Sequence, residues 1–179
     1  MVSPPEPEES KDRDSDLTDV PAALYLGPGL DPPAGGMRMG HVLLVDDDEM
    51  NRTMISRLIQ PLCVRLLAAS DGSEAVWLMR RAQENQDYFD LVLLDYQMPN
   101  MDGPTTAQVL REMGYRGLIV GMTSRTRQEE VDAFIAQGAN SVLSKPLQLE
   151  RLADALSAFD QQRESQQSNS NEHYIFEFI

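Results

Sequence analysis

Between residues 40 and 160 five short apolar runs alternate with five stretches of helical periodicity, and this alternation limits the fold more than any other feature of the chain. The runs are Val42–Val45, Val64–Ala69, Leu91–Leu94, Leu118–Met122 and Ser141–Ser144. The first four are almost wholly apolar, as strands covered on both faces must be. Strand–helix repetition of this kind predicts an α/β fold around a parallel sheet.

The helical stretches carry their own punctuation. The first places Met50, Met54, Ile55, Leu58 and Ile59 on one stripe and is expected to stop at Pro61, whose missing N–H and ring clash end a helix. The second opens on the capping segment Asp71, Gly72, Ser73, Glu74 and is expected to bury Ala75, Leu78, Met79 and Ala82. A third is expected from Pro104 to Met113 before Gly114, and a fourth from Arg127 to Gln137 before Gly138, with Val131, Phe134 and Ile135 inward. The fifth follows Pro146, with Leu149, Leu152, Ala153 and Leu156 on one face.

Outside this core the composition changes. Residues 1–39 are rich in Pro, Gly, Asp and Glu and are expected to stay disordered, because they hold too little apolar surface to offset ordering entropy. Residues 161–179 read as a Gln/Ser/Asn linker ending in the short aromatic tail His173–Ile179. The net charge of −14 repels phosphate backbones and anionic lipid, so neither nucleic acid nor a membrane is an expected partner. Cys63 is the one cysteine, consistent with a reducing cytosolic or nuclear compartment and a packing role. A monomer or weak dimer is expected.

In open parallel sheets ligands bind beyond the carboxyl ends of the strands. There the chain places Asp46, Asp47 and Asp48 after the first run, Asp95 after the third, Thr123 and Ser124 after the fourth, and Lys145 before Pro146 after the last. One such carboxylate is explained by helix capping. Several at one sheet edge oppose each other's ionisation unless a cation neutralises them. A hard divalent ion held by few carboxylates and phosphate oxygens suits Mg²⁺; with only His41 and His173 as imidazoles, nothing suggests zinc.

These residues resemble the response-regulator receiver domains over about Gly40 to Asp160. Val42–Glu49 is similar to that family's first strand and acidic pair, and Leu91–Gly103 to its phosphorylation loop. The resemblance implies a five-stranded, doubly wound, flavodoxin-like sheet of order 2-1-3-4-5. It makes Asp95 the phosphoacceptor, with Thr123 and Lys145 completing the site. It also implies that Asp47, Asp95 and the carbonyl of Gln97 hold Mg²⁺, that Asp46 acts through bound water, and that the Lys145–Pro146 bond is cis. The expected partner is a histidine kinase or histidine phosphotransfer protein, and the expected role is phosphoacceptance in signalling, with no catalysis beyond the domain's own phosphorylation and dephosphorylation.

Two features depart from that pattern or extend it. Val142 stands three residues before the lysine, where receivers often carry a Tyr or Phe that reports phosphorylation. Gln97 and Arg125, two residues after the acceptor and the threonine, stand beside the expected route of hydrolytic water. Two other functions compete. One is a Mg²⁺-dependent phosphatase of the haloacid dehalogenase type with Asp46 as nucleophile, although that family expects Thr or Val where Met50 stands. The other is a degenerate receiver that only binds, which would need a missing site residue.

Overall fold

The computed structural model describes residues 38–125 and 127–175, with side chains up to residue 165. Five strands, β1 (Met39–Val45), β2 (Cys63–Ala69), β3 (Leu91–Asp95), β4 (Leu118–Thr123) and β5 (Ser141–Ser144), form one parallel sheet in the order β2-β1-β3-β4-β5. The helices are α1 (Glu49–Ile59), α2 (Gly72–Glu84), α3 (Gly103–Glu112), α4 (Gln128–Ala136) and α5 (Leu149–Ile175). The expected α/β fold and strand order are those observed.

Alternation along the strands builds two cores. In β1, Leu43 and Val45 join Ala75, Met79, Ala107, Leu110 and Phe134 from α2, α3 and α4. Val42 and Leu44 point the other way, toward Ile55 and Ile59 of α1 and Leu152 of α5. Both faces of the strand are therefore dry, which is why its sequence shows a run and no polar alternation.

β1 starts at Met39, three residues earlier than the apolar run, because Gly40 and His41 interrupt the hydrophobic signal without interrupting the pairing. Met39, assigned from composition to the leader, is only 2% exposed. A Cβ on Gly40 would collide with Asp90, whose carboxylate accepts the His41 N–H at 2.7 Å. The rest of the leader, residues 1–37, lies outside the described residues.

Three of the five helices, α1, α2 and α3, start on a side-chain cap. Asp48, Asp71 and Asp102 accept the backbone N–H of Asn51, Glu74 and Thr105 at 2.8, 2.9 and 2.9 Å, satisfying donors that a helix start leaves free. Gly114 and Gly138, at φ of 88° and 106°, follow α3 and α4 in the left-handed conformation that lacks penalty only for glycine.

Three expectations need correction. The apolar stripe of α1 is wider than the surface that covers it: Ile55 and Ile59 are buried, but Met50, Met54 and Leu58 are 73%, 60% and 39% exposed. Likewise Phe134 fills the core from α4, whereas its neighbour Ile135 faces outward. Third, the polar stretch read as a linker continues α5 as helix to Ile175. Gln, Glu and Arg are good helix formers, and a helix that is polar all round has no hydrophobic period to betray it. Of the aromatic tail, residues 176–179 lie outside the described residues. No helix among the described residues is long and apolar enough to cross a membrane. Cys63 donates to the Ile59 carbonyl, and burial pushes its thiol up to about 12, so it is protonated and unreactive at neutral pH.

Phe134 is fully buried between two glycines. A Cβ on Gly121 of β4 would lie 2.5 Å from its ring, and one on Gly103 would meet both that ring and the Asp95 carbonyl. Gly121→Ala should therefore destabilise the chain by about 1–3 kcal/mol. Adding Phe134→Leu should return part of that loss, a non-additivity that urea denaturation of the two single variants and the double variant measures.

Candidate functional site

The carboxyl ends of β1, β3 and β5 bring their side chains into one cluster, beside the end of β4. Asp46, immediately after β1, is fully buried. Its Oδ1 accepts the Asp48 N–H at 2.9 Å, and its carbonyl accepts the Arg52 guanidinium at 2.6 Å. Asp95, the last residue of β3, is 7% exposed and accepts the N–H of Tyr96 at 2.8 Å. Lys145 follows β5, its peptide bond to Pro146 is cis, and its N–H donates to the Thr123 carbonyl at 2.8 Å. That anchor on β4 sends the side chain inward, where Nζ reaches Asp46 Oδ2 at 2.6 Å and Asp95 Oδ1 at 2.8 Å.

One ammonium therefore bridges two buried carboxylates that are far apart in sequence. Burial alone disfavours the charged lysine, but the hydrogen bonds and charges of Asp46 and Asp95 overcome it and hold Lys145 above its ordinary value. Asp95 is held above the usual carboxylate range by burial, with the Asp46 charge adding to the effect against the pull of Lys145 and the Tyr96 N–H.

Asp47 is exposed, yet its carboxylate and those of Asp46 and Asp95 offer ligand atoms that all lie within 4.8 Å of one another. Lys145 supplies one positive charge against three negative ones. Carboxylate oxygens with no sulfur or imidazole among them suit a hard divalent cation that retains some of its water, so the donor set fits Mg²⁺. Gln97 is exposed on the loop after Asp95.

Thr123, at the end of β4, is 3% exposed. Its hydroxyl donates to the Arg125 carbonyl at 2.9 Å, accepts the Arg125 N–H at 3.0 Å, and lies 3.4 Å from a Glu130 carboxylate oxygen. The structure thus joins Asp46, Asp95 and Lys145 by direct contacts and places Asp47 close beside them, while the Thr123 hydroxyl is turned into its own loop. Glu130 escapes sequence reading because an acidic residue in the first turn of a helix is ordinary. Only its placement beside the threonine distinguishes it.

The electrostatics make two predictions. Because the folded state raises the Asp95 pKa, stability is fully present while that carboxyl is protonated and falls as pH rises through the folded value. Without divalent cations, Asp95→Asn should melt above the parent chain at pH 7, and the gap should close as pH falls below the ordinary carboxyl value of 3.8. Lys145→Ala leaves the fully buried Asp46 without its cation and should cost about 3 kcal/mol in chemical denaturation at neutral pH.

The comparisons agree with this geometry. Residues 42–157 match the family model described as response regulator receiver domain. The chain is 43% identical over 108 residues to the two-component response regulator ARR22 of Arabidopsis thaliana, a stretch covering 60% of this chain and 74% of that protein. It is 37% identical over 124 residues to the two-component response regulator ORR41 of Oryza sativa subsp. japonica, covering 68% and 95%. Other relatives include sensor histidine kinases and transcription factors, in which the matching stretch is 12% to 20% of the length. The solved receiver domain of the histidine kinase CKI1 from Arabidopsis thaliana, complexed with Mg²⁺ and BeF₃⁻, superposes with a TM-score of 0.60 at 25% identity, covering 70% of this chain and 92% of that one. A parallel sheet that gathers three aspartates and a lysine at one edge, matched by a receiver-domain model over most of its length, places this chain in the response-regulator receiver domain family of two-component signalling.

Proposed function

We propose that Asp95 is the phosphoacceptor and that it takes its phosphoryl group from a phosphohistidine on a histidine kinase or histidine phosphotransfer protein. The observation that carries this reading is the bridge from Lys145 to both Asp46 and Asp95, which fixes the Asp95 carboxylate at the rim of the acidic cluster. In the transfer, an Asp95 oxygen attacks phosphorus in line, a P–O bond forms, the P–N bond breaks, and the imidazole leaves after gaining a proton. Little covalent work falls to the protein, so positioning and charge stabilisation dominate.

Asp47, Asp95 and the Gln97 carbonyl would hold Mg²⁺, with Asp46 acting through water. When bound, the ion neutralises phosphoryl oxygens and lets two anions meet. Lys145 is already at the Asp95 oxygen and needs only to exchange a carboxylate for a phosphoryl oxygen. Thr123 would donate its hydroxyl to another such oxygen after rotating away from Arg125. Gln97 and Arg125, flanking the acceptor, would limit access of hydrolytic water.

Asp46 is a poor nucleophile in the phosphatase alternative. Its oxygens are engaged by Lys145 and the Asp48 N–H, and the partner carboxylate of its Asp-x-Asp motif, Asp48, caps α1. A role in binding only would require a defective site, whereas acceptor, acidic pair, threonine and lysine are all present. The charge of −14 argues against nucleic acid and anionic membranes as partners, and the same reading keeps the protein monomeric or weakly dimeric in the cytosol or nucleus.

Incubation with Mg²⁺ and phosphoramidate, followed by borohydride trapping and mass spectrometry, should place the modification on Asp95. Modification of Asp46 would favour the phosphatase, and none would favour the binding module. Asp95→Asn should abolish labelling. Lys145→Ala should slow it by roughly 10²-fold or more, the loss typical of removing one preorganised donor.

A further inference from the structure

The Thr123 hydroxyl has a single proton, and two acceptors within its own loop region compete for it: the Arg125 carbonyl at 2.9 Å and the Glu130 carboxylate at 3.4 Å. The shorter contact is the better hydrogen bond. The longer one involves a full negative charge, and an ionised acceptor attracts a hydroxyl about twice as strongly as a neutral one of like geometry. Glu130 sits in the first turn of α4 beside Glu129, where the helix dipole favours an acid. That accounts for an acidic residue there, but not for Glu130 standing against a buried threonine. Among the described residues Glu130 has no ion pair, although Arg125 and Arg127 flank its loop. Its charge also reaches Tyr96, the residue after Asp95, whose phenol is held above its ordinary value by burial and then by the Glu130 and Asp102 carboxylates.

We propose that Glu130 is a positioning residue that holds the Thr123 hydroxyl off the phosphoryl site, and so sets how readily Asp95 is phosphorylated. The inference rests on Asp95 being the acceptor. A phosphoryl group on Asp95 carries roughly two negative charges and strong acceptor oxygens, so it outcompetes both present partners for the hydroxyl proton. When Thr123 rotates, Glu130 loses its donor and faces a dianion across a short loop. Repulsion then moves α4 from its first turn, and Phe134, in the last turn of that helix, meets Tyr96 edge-on at 5.6 Å. This output route needs no aromatic residue on β5, where Val142 stands.

The test uses the full chain carrying Glu130→Gln, which preserves size and removes the charge. In the phosphoryl-free protein, three-bond couplings to the Thr123 methyl carbon should show a shifted χ1 population relative to the parent. Affinity for beryllofluoride in saturating Mg²⁺ should rise roughly fivefold, reflecting the weaker hold of a neutral acceptor. Mg²⁺ affinity without beryllofluoride should stay within about twofold. In a Thr123→Ala background the gain from Glu130→Gln should vanish, as it must if Glu130 acts through that hydroxyl.

An unchanged Thr123 rotamer with unchanged beryllofluoride affinity overturns the role of Glu130. So does a gain that persists without the Thr123 hydroxyl, or one accompanied by altered Mg²⁺ binding, because either marks a diffuse charge effect. Failure of the parent chain to take phosphoryl on Asp95 overturns the acceptor assignment instead, and the Thr123 couplings still read the Glu130 contact by themselves.

Discussion

The lysine that joins Asp46 to Asp95 is the interaction on which the site depends. Burial, and then the neighbouring Asp46 charge, raise the cost of ionising Asp95. An ammonium between the two carboxylates, held by a backbone hydrogen bond from Lys145 to Thr123, offsets part of that cost. It also leaves the cluster with more negative than positive charge. That imbalance is a standing attraction for a divalent cation and a standing penalty on the free state.

The sheet makes this arrangement possible by ordering strands differently in space and in sequence. β1 lies between β2 and β3, so Asp46 and Asp95 emerge side by side, and β4 and β5 continue the row to Thr123 and Lys145. Dry cores on both faces hold the strand ends rigid. The acidic loops beyond them can then carry unfavourable charge, because the strain is local and the packing beneath it is not.

Between Asp95 and the helices lies a tight aromatic joint. Gly121 and Gly103 leave room for Phe134, whose ring meets Tyr96 edge-on, and the backbone of Tyr96 in turn touches the Asp95 carboxylate and β4. A displacement of Asp95 or α4 is felt by the other through few intermediates. The usual aromatic position on β5 is filled by Val142, which packs against the same core.

The sequence by itself determined the alternation of strands and helices, the approximate position of each, and the chemistry at the strand ends. Hydrophobic period and turn residues are local properties: the runs at Leu91 and Leu118, the cap at Asp71 and the glycine after α4 can all be read without knowing what they touch. The acidic triplet, Asp95, Thr123 and Lys145 were legible as a set because parallel strands deliver their last residues to one edge. Tertiary structure decided what depends on neighbours distant in the chain. Position 40 is glycine within a strand because Asp90 fills the space a side chain there would take. The α1 methionines stay exposed because the sheet covers only part of their stripe, and the polar end of α5 is helical without any apolar face. That Lys145 satisfies two aspartates, while Thr123 faces Arg125 and Glu130, follows from distances of a few ångströms between separate segments, and no local pattern of residues encodes them.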